Sequence, residues 1–257
     1  MNTTATRDTA TPPKAKRHMA PWKKRVLAAG VAVVALGAAG VWWFLHDDAP
    51  AAVSLDAAVG AVSTPGSAPS AAGVAGNWAV DTSVGEFNFE NSTGTFVGFR
   101  VHEQLSGIGS TTAVGRTPTV TGTITIDGTK LTAADITADM TALTTNNSRR
   151  DGPARRALGT DQFPTATFVL TSPVDLGEAA TTGAKTTVTA TGDLTVHGVT
   201  KSVQIPLEAQ LTGDTIVVVG SLDVAFSDFG VSAPTAPIVL SVDDHGQMEL
   251  QLFFQRA

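Results

Sequence analysis

Five histidines stand at 18, 46, 102, 197 and 245, and none of their spacings matches a metal-ligand pattern such as H-E-x-x-H. His197 opens a glycine turn on the polar register of its segment, where a histidine reads as a hydrogen-bonded turn residue rather than a catalyst. Arg100 and His102 share one side of an alternating run while Val97, Phe99 and Val101 share the other, so the polar pair is expected to face outward. There is no G-x-S-x-G, no phosphate-binding loop and no dinucleotide fingerprint. Asp228-Phe229-Gly230 matches the kinase triplet by letters alone. The absence of cysteine excludes a thiolate nucleophile, a disulfide framework, a cysteine-held zinc or iron–sulfur site and a lipidated cysteine. No catalytic residue, metal ligand or cofactor is assigned. What stands out is Arg149, Arg150, Arg155 and Arg156. Guanidinium forks match phosphate oxygens, so Arg150, Arg155 and Arg156 are a candidate clamp for an anionic headgroup. Two other readings stay open: Arg150 pairs with Asp151 to pin the loop, or Arg155 and Arg156 face anionic lipid.

These residues belong to a chain of 257 amino acids with net charge −6 and a split distribution. The first 25 residues hold seven basic side chains and one acid, which leaves −12 on the rest. An acidic body argues against nucleic acid as a partner, because phosphate contacts need Lys and Arg to displace counterions. Residues 1–25 read as a basic cytoplasmic tail. Residues 26–45 are uncharged and apolar, and as a helix would span ~30 Å, about one hydrocarbon core. Lys23, Lys24 and Arg25 precede this run and Trp42, Trp43 and Phe44 end it. The expected topology is a single-pass signal-anchor in the cytoplasmic membrane, N-terminus inside and the body outside. The alternative is secretion after cleavage at the loose small-x-small match Ala49-Pro50-Ala51. Residues 46–77, rich in Ala, Ser, Gly and Pro, read as a flexible tether with a reach of roughly 30 Å.

From Trp78 the pattern turns to period two. In 186–197, Val188, Ala190, Gly192, Leu194 and Val196 alternate with polar residues; in 201–211, Val203, Ile205, Leu207, Ala209 and Leu211 do the same. Comparable alternation covers 119–127, 136–143 and 247–254. The run 215–226 is less clean, because Val217 and Val219 face opposite to Ile216, Val218, Leu222, Val224 and Phe226. Many half-buried strands with short turns predict an all-β fold, an antiparallel barrel or sandwich with its Thr-rich faces outside. The apolar faces enclose either a solid core or a cavity. Small residues on the inner register (Ala138, Ala142, Ala190, Gly192, Ala209, Gly220) are where a cavity would open; tight packing is the other reading.

Several stretches carry a family resemblance. Gly192-Asp193-Leu194-Thr195-Val196-His197-Gly198-Val199-Thr200-Lys201 resembles the G-x-L-T-(aliphatic)-x-G-V-T-K hairpin of the YceI-like family. Trp78-Ala79-Val80-Asp81, Asn147-Ser148-Arg149-Arg150-Asp151, Phe163-Pro164-Thr165-Ala166-Thr167-Phe168 and Phe226-Ser227-Asp228-Phe229-Gly230 resemble further motifs of that family, in order. The resemblance covers 78–257 and implies an antiparallel eight-stranded lipocalin-like barrel that binds an isoprenoid or similar amphiphilic lipid. Val97, Phe99, Ile124, Ile126, Met140, Leu194, Val196, Val218, Leu222 and Phe226 are the expected apolar lining. Burying each CH₂ of a tail contributes ~0.8 kcal/mol, so such a site needs no catalysis. The sequence departs from the family at Arg150–Leu158, where a histidine is missing and two arginines are added, and at Leu105–Arg116, which reads as an extra Gly/Thr-rich loop. The readings to be separated are a membrane-anchored lipid-binding module, an enzyme using the cavity as its active site, and an envelope scaffold with a solid core.

Overall fold

The computed structural model describes residues 49–63, 73–90, 92–234 and 237–257. The expected tail and membrane span, 1–45, lie outside them. Among the described residues no helix is long and apolar enough to cross a membrane.

The alternating runs form thirteen strands: β1 Gly76–Val80, β2 Phe96–Leu105, β3 Gly109–Thr117, β4 Val120–Asp127, β5 Lys130–Asp139, β6 Thr144–Thr145, β7 Thr165–Leu170, β8 Val174–Asp175, β9 Thr186–Val196, β10 Val199–Thr212, β11 Thr215–Ala225, β12 Val239–Val242 and β13 His245–Arg256. The described residues also form two short α-helices, α1 Leu55–Val62 and α2 Asp151–Ala157. Strands β1, β4, β5, β7, β9, β10, β11 and β13 pair in that order, and β13 closes onto β1, giving the expected antiparallel eight-stranded barrel. Closure removes free sheet edges from this ring. β13 is long enough to serve two neighbours: its Phe254–Arg256 pairs with β1, and its Gln247–Gln251 pairs with β2. β2 then carries β3, which carries β6, while β12 joins the far end of β2. Below, the end of the barrel at Arg256 is called lower and the end at His245 upper.

Two sequence expectations are corrected here. Leu105–Arg116 is not a surplus loop. Gly109–Thr117 is β3, paired with β2 along its whole length. Its period is masked because Gly and Thr occupy both faces. Nor is 46–77 wholly a free tether. Leu55–Val62 is helical, and Leu55 and Ala58, each 1% exposed, pack on Val217, Val219 and Phe253. This contact explains the irregular run in β11. Val217 and Val219 do face outward, but into a second apolar layer that α1 covers.

Candidate functional site

The inner register of the barrel follows from the pairing, because residues opposite one another in an antiparallel ladder point to the same face. One row reads Val188, Leu207, Gly220, Leu250 and Val97 around β9, β10, β11, β13 and β2. The lower end is plugged. Trp78 is fully buried, donates from Nε1 to the Val74 carbonyl at 2.8 Å, and lies under the Arg256 guanidinium at 4.4 Å. Of the ten lining residues read from sequence, Ile124, Ile126, Met140 and Leu194 are buried. Val97, Phe99 and Val218 are half-buried against the same core, and Val196, Leu222 and Phe226 are half-buried toward the upper end. Met140 sits in a 3₁₀ turn, Met140–Ala142, rather than in a strand.

The inward glycines are occupied space. A Cβ on Gly115 would stand 2.4 Å from Phe99 Cε1, and one on Gly192 would stand 2.4 Å from Phe168 Cζ. On Gly220 it would meet Leu207 Cδ2 at 2.5 Å, and on Gly246 the Phe226 ring at 3.1 Å. Large side chains thus fill what the glycines leave, as interior packing at crystal-like density demands. At the lower end an apolar cavity of about 30 Å³ lies between Val74, Ile126, Leu176, Leu211 and Ile216. It has room for a water or two.

The arginine loop crosses the upper part of the molecule beside β3. Asn147 caps the turn at Ser148–Arg150, accepting from the Arg149 N–H at 3.2 Å. Asp151 does not pair with Arg150. Its Oδ1 accepts from the Thr145 N–H at 2.8 Å and hydroxyl at 2.6 Å, tying the start of α2 to β6. Arg150 pairs instead with Glu103 of β2, a contact of 47 residues' separation that local spacing cannot announce. Arg155 donates to the Leu143 carbonyl at 2.8 Å. Of the three proposed headgroup arginines only Arg156 is exposed, together with Arg149, which was not among them.

His197 is a turn residue with φ of +53°. Its Nδ1 lies 3.0 Å from the Phe229 carbonyl, and its ring meets Phe163 edge-on at 5.0 Å. It joins the β9–β10 hairpin to the chain before β7 and to the turn at Phe226–Phe229. Arg100 and His102 point outward as expected, but Arg100 is covered.

That cover belongs to a polar cluster absent from the sequence reading. On the outer face of β13, β2 and β3, Glu249 is 1% exposed and receives Arg100 Nε at 3.1 Å and Arg116 Nη2 at 3.3 Å. Arg100 Nη2 also donates to the Pro50 carbonyl at 2.8 Å, and Arg116 Nη2 to the Ala51 carbonyl at 3.3 Å. The Arg116 guanidinium stacks on Phe96 at 4.1 Å, and its Nε has no hydrogen-bond partner. Burial pushes the Arg116 guanidinium below its usual value, and Glu249 opposes that shift. Residues 50–62 therefore form a strap, held by the buried Arg116 and the half-buried Arg100 at its start and by an apolar helix at its end. Alternation places Glu249 opposite Met248 and Leu250, so the pattern marks it as exposed; nothing local signals the strap that buries it.

A model of the YceI-like domain matches residues 78–254. Protein YceI of Shigella flexneri is 37% identical over 123 residues, 46% of this chain and 56% of that protein. Protein YceI of Escherichia coli O157:H7 matches with the same identity and coverage. The aligned stretch thus spans about half the length of these relatives. Among solved structures, a polyisoprenoid binding domain from Saccharophagus degradans superposes with a TM-score of 0.51 at 18% identity. That match covers 70% of this chain and 98% of that one, and shows a shared fold.

Proposed function

Because the chain belongs to the YceI-like domain family, we propose that it is an extracytoplasmic envelope protein whose barrel is a filled scaffold acting through its surface. Members of this family are not enzymes. The observation that carries the scaffold reading is the set of side chains seated on the inward glycines, with Phe99 over Gly115 and Phe168 over Gly192. Among the described residues, the lower-end cavity of about 30 Å³ is far below the ~300–1,000 Å³ of ordinary ligand sites. The anchored topology read from residues 1–45 is part of this proposal. Retention of the N-terminal segment after alkaline washing of membranes tests it, against release of a shortened chain.

A second reading is favoured by one observation. Val97, Phe99, Phe168, Leu207, Val218, Leu222 and Leu250 keep partial accessibility although they lie on the inner register. A tail such as that of the isoprenoid named for the Saccharophagus degradans domain would enter on this side, if the rings of Phe99 and Phe168 swung aside. Organic extraction of the purified full-length protein, followed by mass spectrometry, separates the two readings. The scaffold predicts no stoichiometric lipid. One isoprenoid or other amphiphile per chain would overturn it and establish the barrel as a carrier.

A further inference from the structure

The far end of the β2–β3 hairpin, with β12 beside it, is an apolar tip without charge. Gln104–Gly115 and Phe229–Val242 contain no Asp, Glu, Lys or Arg, on a body of net −12. Ile238, in the turn before β12, is 57% exposed, and Leu240, at the irregularity in β12, is 66% exposed. Ser106 N–H donates to the Ile238 carbonyl at 2.8 Å, which sets both beside the Leu105–Ile108 turn. Single exposed aliphatics are ordinary, but two within three residues, beside the half-buried Ile108, make a contact surface.

We propose that this tip docks into the interfacial layer of a lipid bilayer, so that the barrel works with its upper end against the membrane. The strap gives the direction. Pro50 is held by Arg100, at the level of Gln247 on β13; Ala51 is held by Arg116, at the level of Glu249; Leu55 and Ala58 lie over Val217, Val219 and Phe253. The strap thus descends from the upper toward the lower end, and its N-terminal end faces the tip. From Arg100 to Leu105 β2 rises roughly 17 Å, so the tip stands well beyond the level at which Pro50 is held. The exposed Arg149 sits next to Arg150, which pairs with Glu103 of β2, and the exposed Arg156 lies on α2, which packs by β6; lipid phosphates would meet both. Asp243 and Asp244, exposed at the base of β12, mark where the surface turns polar and limit how far the tip enters. The proposal does not depend on whether the interior holds a ligand.

The chain has no cysteine, so single labels are clean. Leu240→Cys at the tip and Asp214→Cys at the opposite end, each carrying a nitroxide, are compared in full-length protein in nanodiscs of equal parts phosphatidylcholine and phosphatidylglycerol. The expected result is several-fold stronger relaxation by lipid-dissolved oxygen than by an aqueous nickel chelate at 240, the reverse at 214, and loss of the difference in the Ile238→Asp background. Equal aqueous access at 240 and 214 overturns the proposal. So does dipolar broadening between labels at 240 on two chains, which would make the tip a contact between copies.

Discussion

Replacing Leu55 by alanine tests whether the strap is part of the fold. Leu55 is 1% exposed and belongs to a buried cluster with Ala58, Val217, Val219 and Phe253. Leu→Ala at such a site costs about 2–5 kcal/mol, from lost transfer energy and the void left behind. A strap can also lift off, and the loss then stops at its docking energy, so the lower part of that range, about 2–3 kcal/mol, is expected. At roughly 2–4 °C per kcal/mol for a domain of this size, the melting temperature falls by about 4–12 °C. Thermal unfolding of the full-length protein followed by circular dichroism gives the shift. Elastase digestion gives its local component, as faster cutting between Val53 and Val62. A double-mutant cycle with Val219→Ala locates the contact, with a coupling of about 0.5–3 kcal/mol if the two side chains touch as described. A free tether predicts a surface-like change within about 0.5 kcal/mol and no coupling. That outcome would refute the strap, and with it the direction argument for the tip.

Glu249→Ala is expected to cost about 3–5 kcal/mol in denaturant unfolding, because it leaves Arg116 buried, and Arg100 half-buried, without their carboxylate; a cost below 1 kcal/mol would show that water enters the cluster. Gly192→Val drives a side chain against Phe168 Cζ and, at 2.5 Å, the Val169 carbonyl, so a loss of at least about 1–3 kcal/mol is expected in the same assay. An unchanged midpoint would mean an interior open enough to absorb the methyls. The hydrogen bond that His245 Nδ1–H donates to the Asp244 carboxylate raises the imidazole above its ordinary value, and Asp244→Asn should lower it in an NMR titration. Because the folded value is the higher one, the pair's small contribution is complete below the unfolded histidine value. It is lost as pH rises through the folded one.

The barrel was legible wherever one face of a strand meets water. β9 and β10 alternate cleanly because Thr189, Thr191 and Gln204 lie outside and Ala190, Leu194 and Ile205 lie inside. β3 escaped notice because Gly115 and Thr117 on its inner face and Arg116 on its outer face are all buried, so polarity does not alternate. The irregular Val217 and Val219 were a true signal of a covered outer face, but what covers them lies more than 150 residues earlier in the chain. Pairings such as Arg150 with Glu103 are fixed by topology, and single-sequence spacing carries no trace of them. The reading of the small inner residues went the other way: composition offers room, and neighbouring side chains decide whether the room survives.

The accounting of positive charge sharpens how such a barrel would meet a membrane. Ten basic residues follow the first 25. Arg100, Arg116 and Arg150 are held by carboxylates, Arg155 and Arg256 by backbone carbonyls, and Lys185 and Lys201 by Glu208 and Asp228. Among the described residues this leaves the side chains of Lys130, Arg149 and Arg156 uncommitted. Each ion pair cancels one charge of either sign and a backbone carbonyl cancels none, so the body keeps its net −12, and an anionic leaflet repels most of it within the ~10 Å over which charge acts in salt. Among the described residues, the upper end combines a charge-free apolar tip with two uncommitted arginines. An acidic body kept close to its membrane would lower its energy by turning that end inward. The orientation then follows from where charge is absent as much as from where the strap begins.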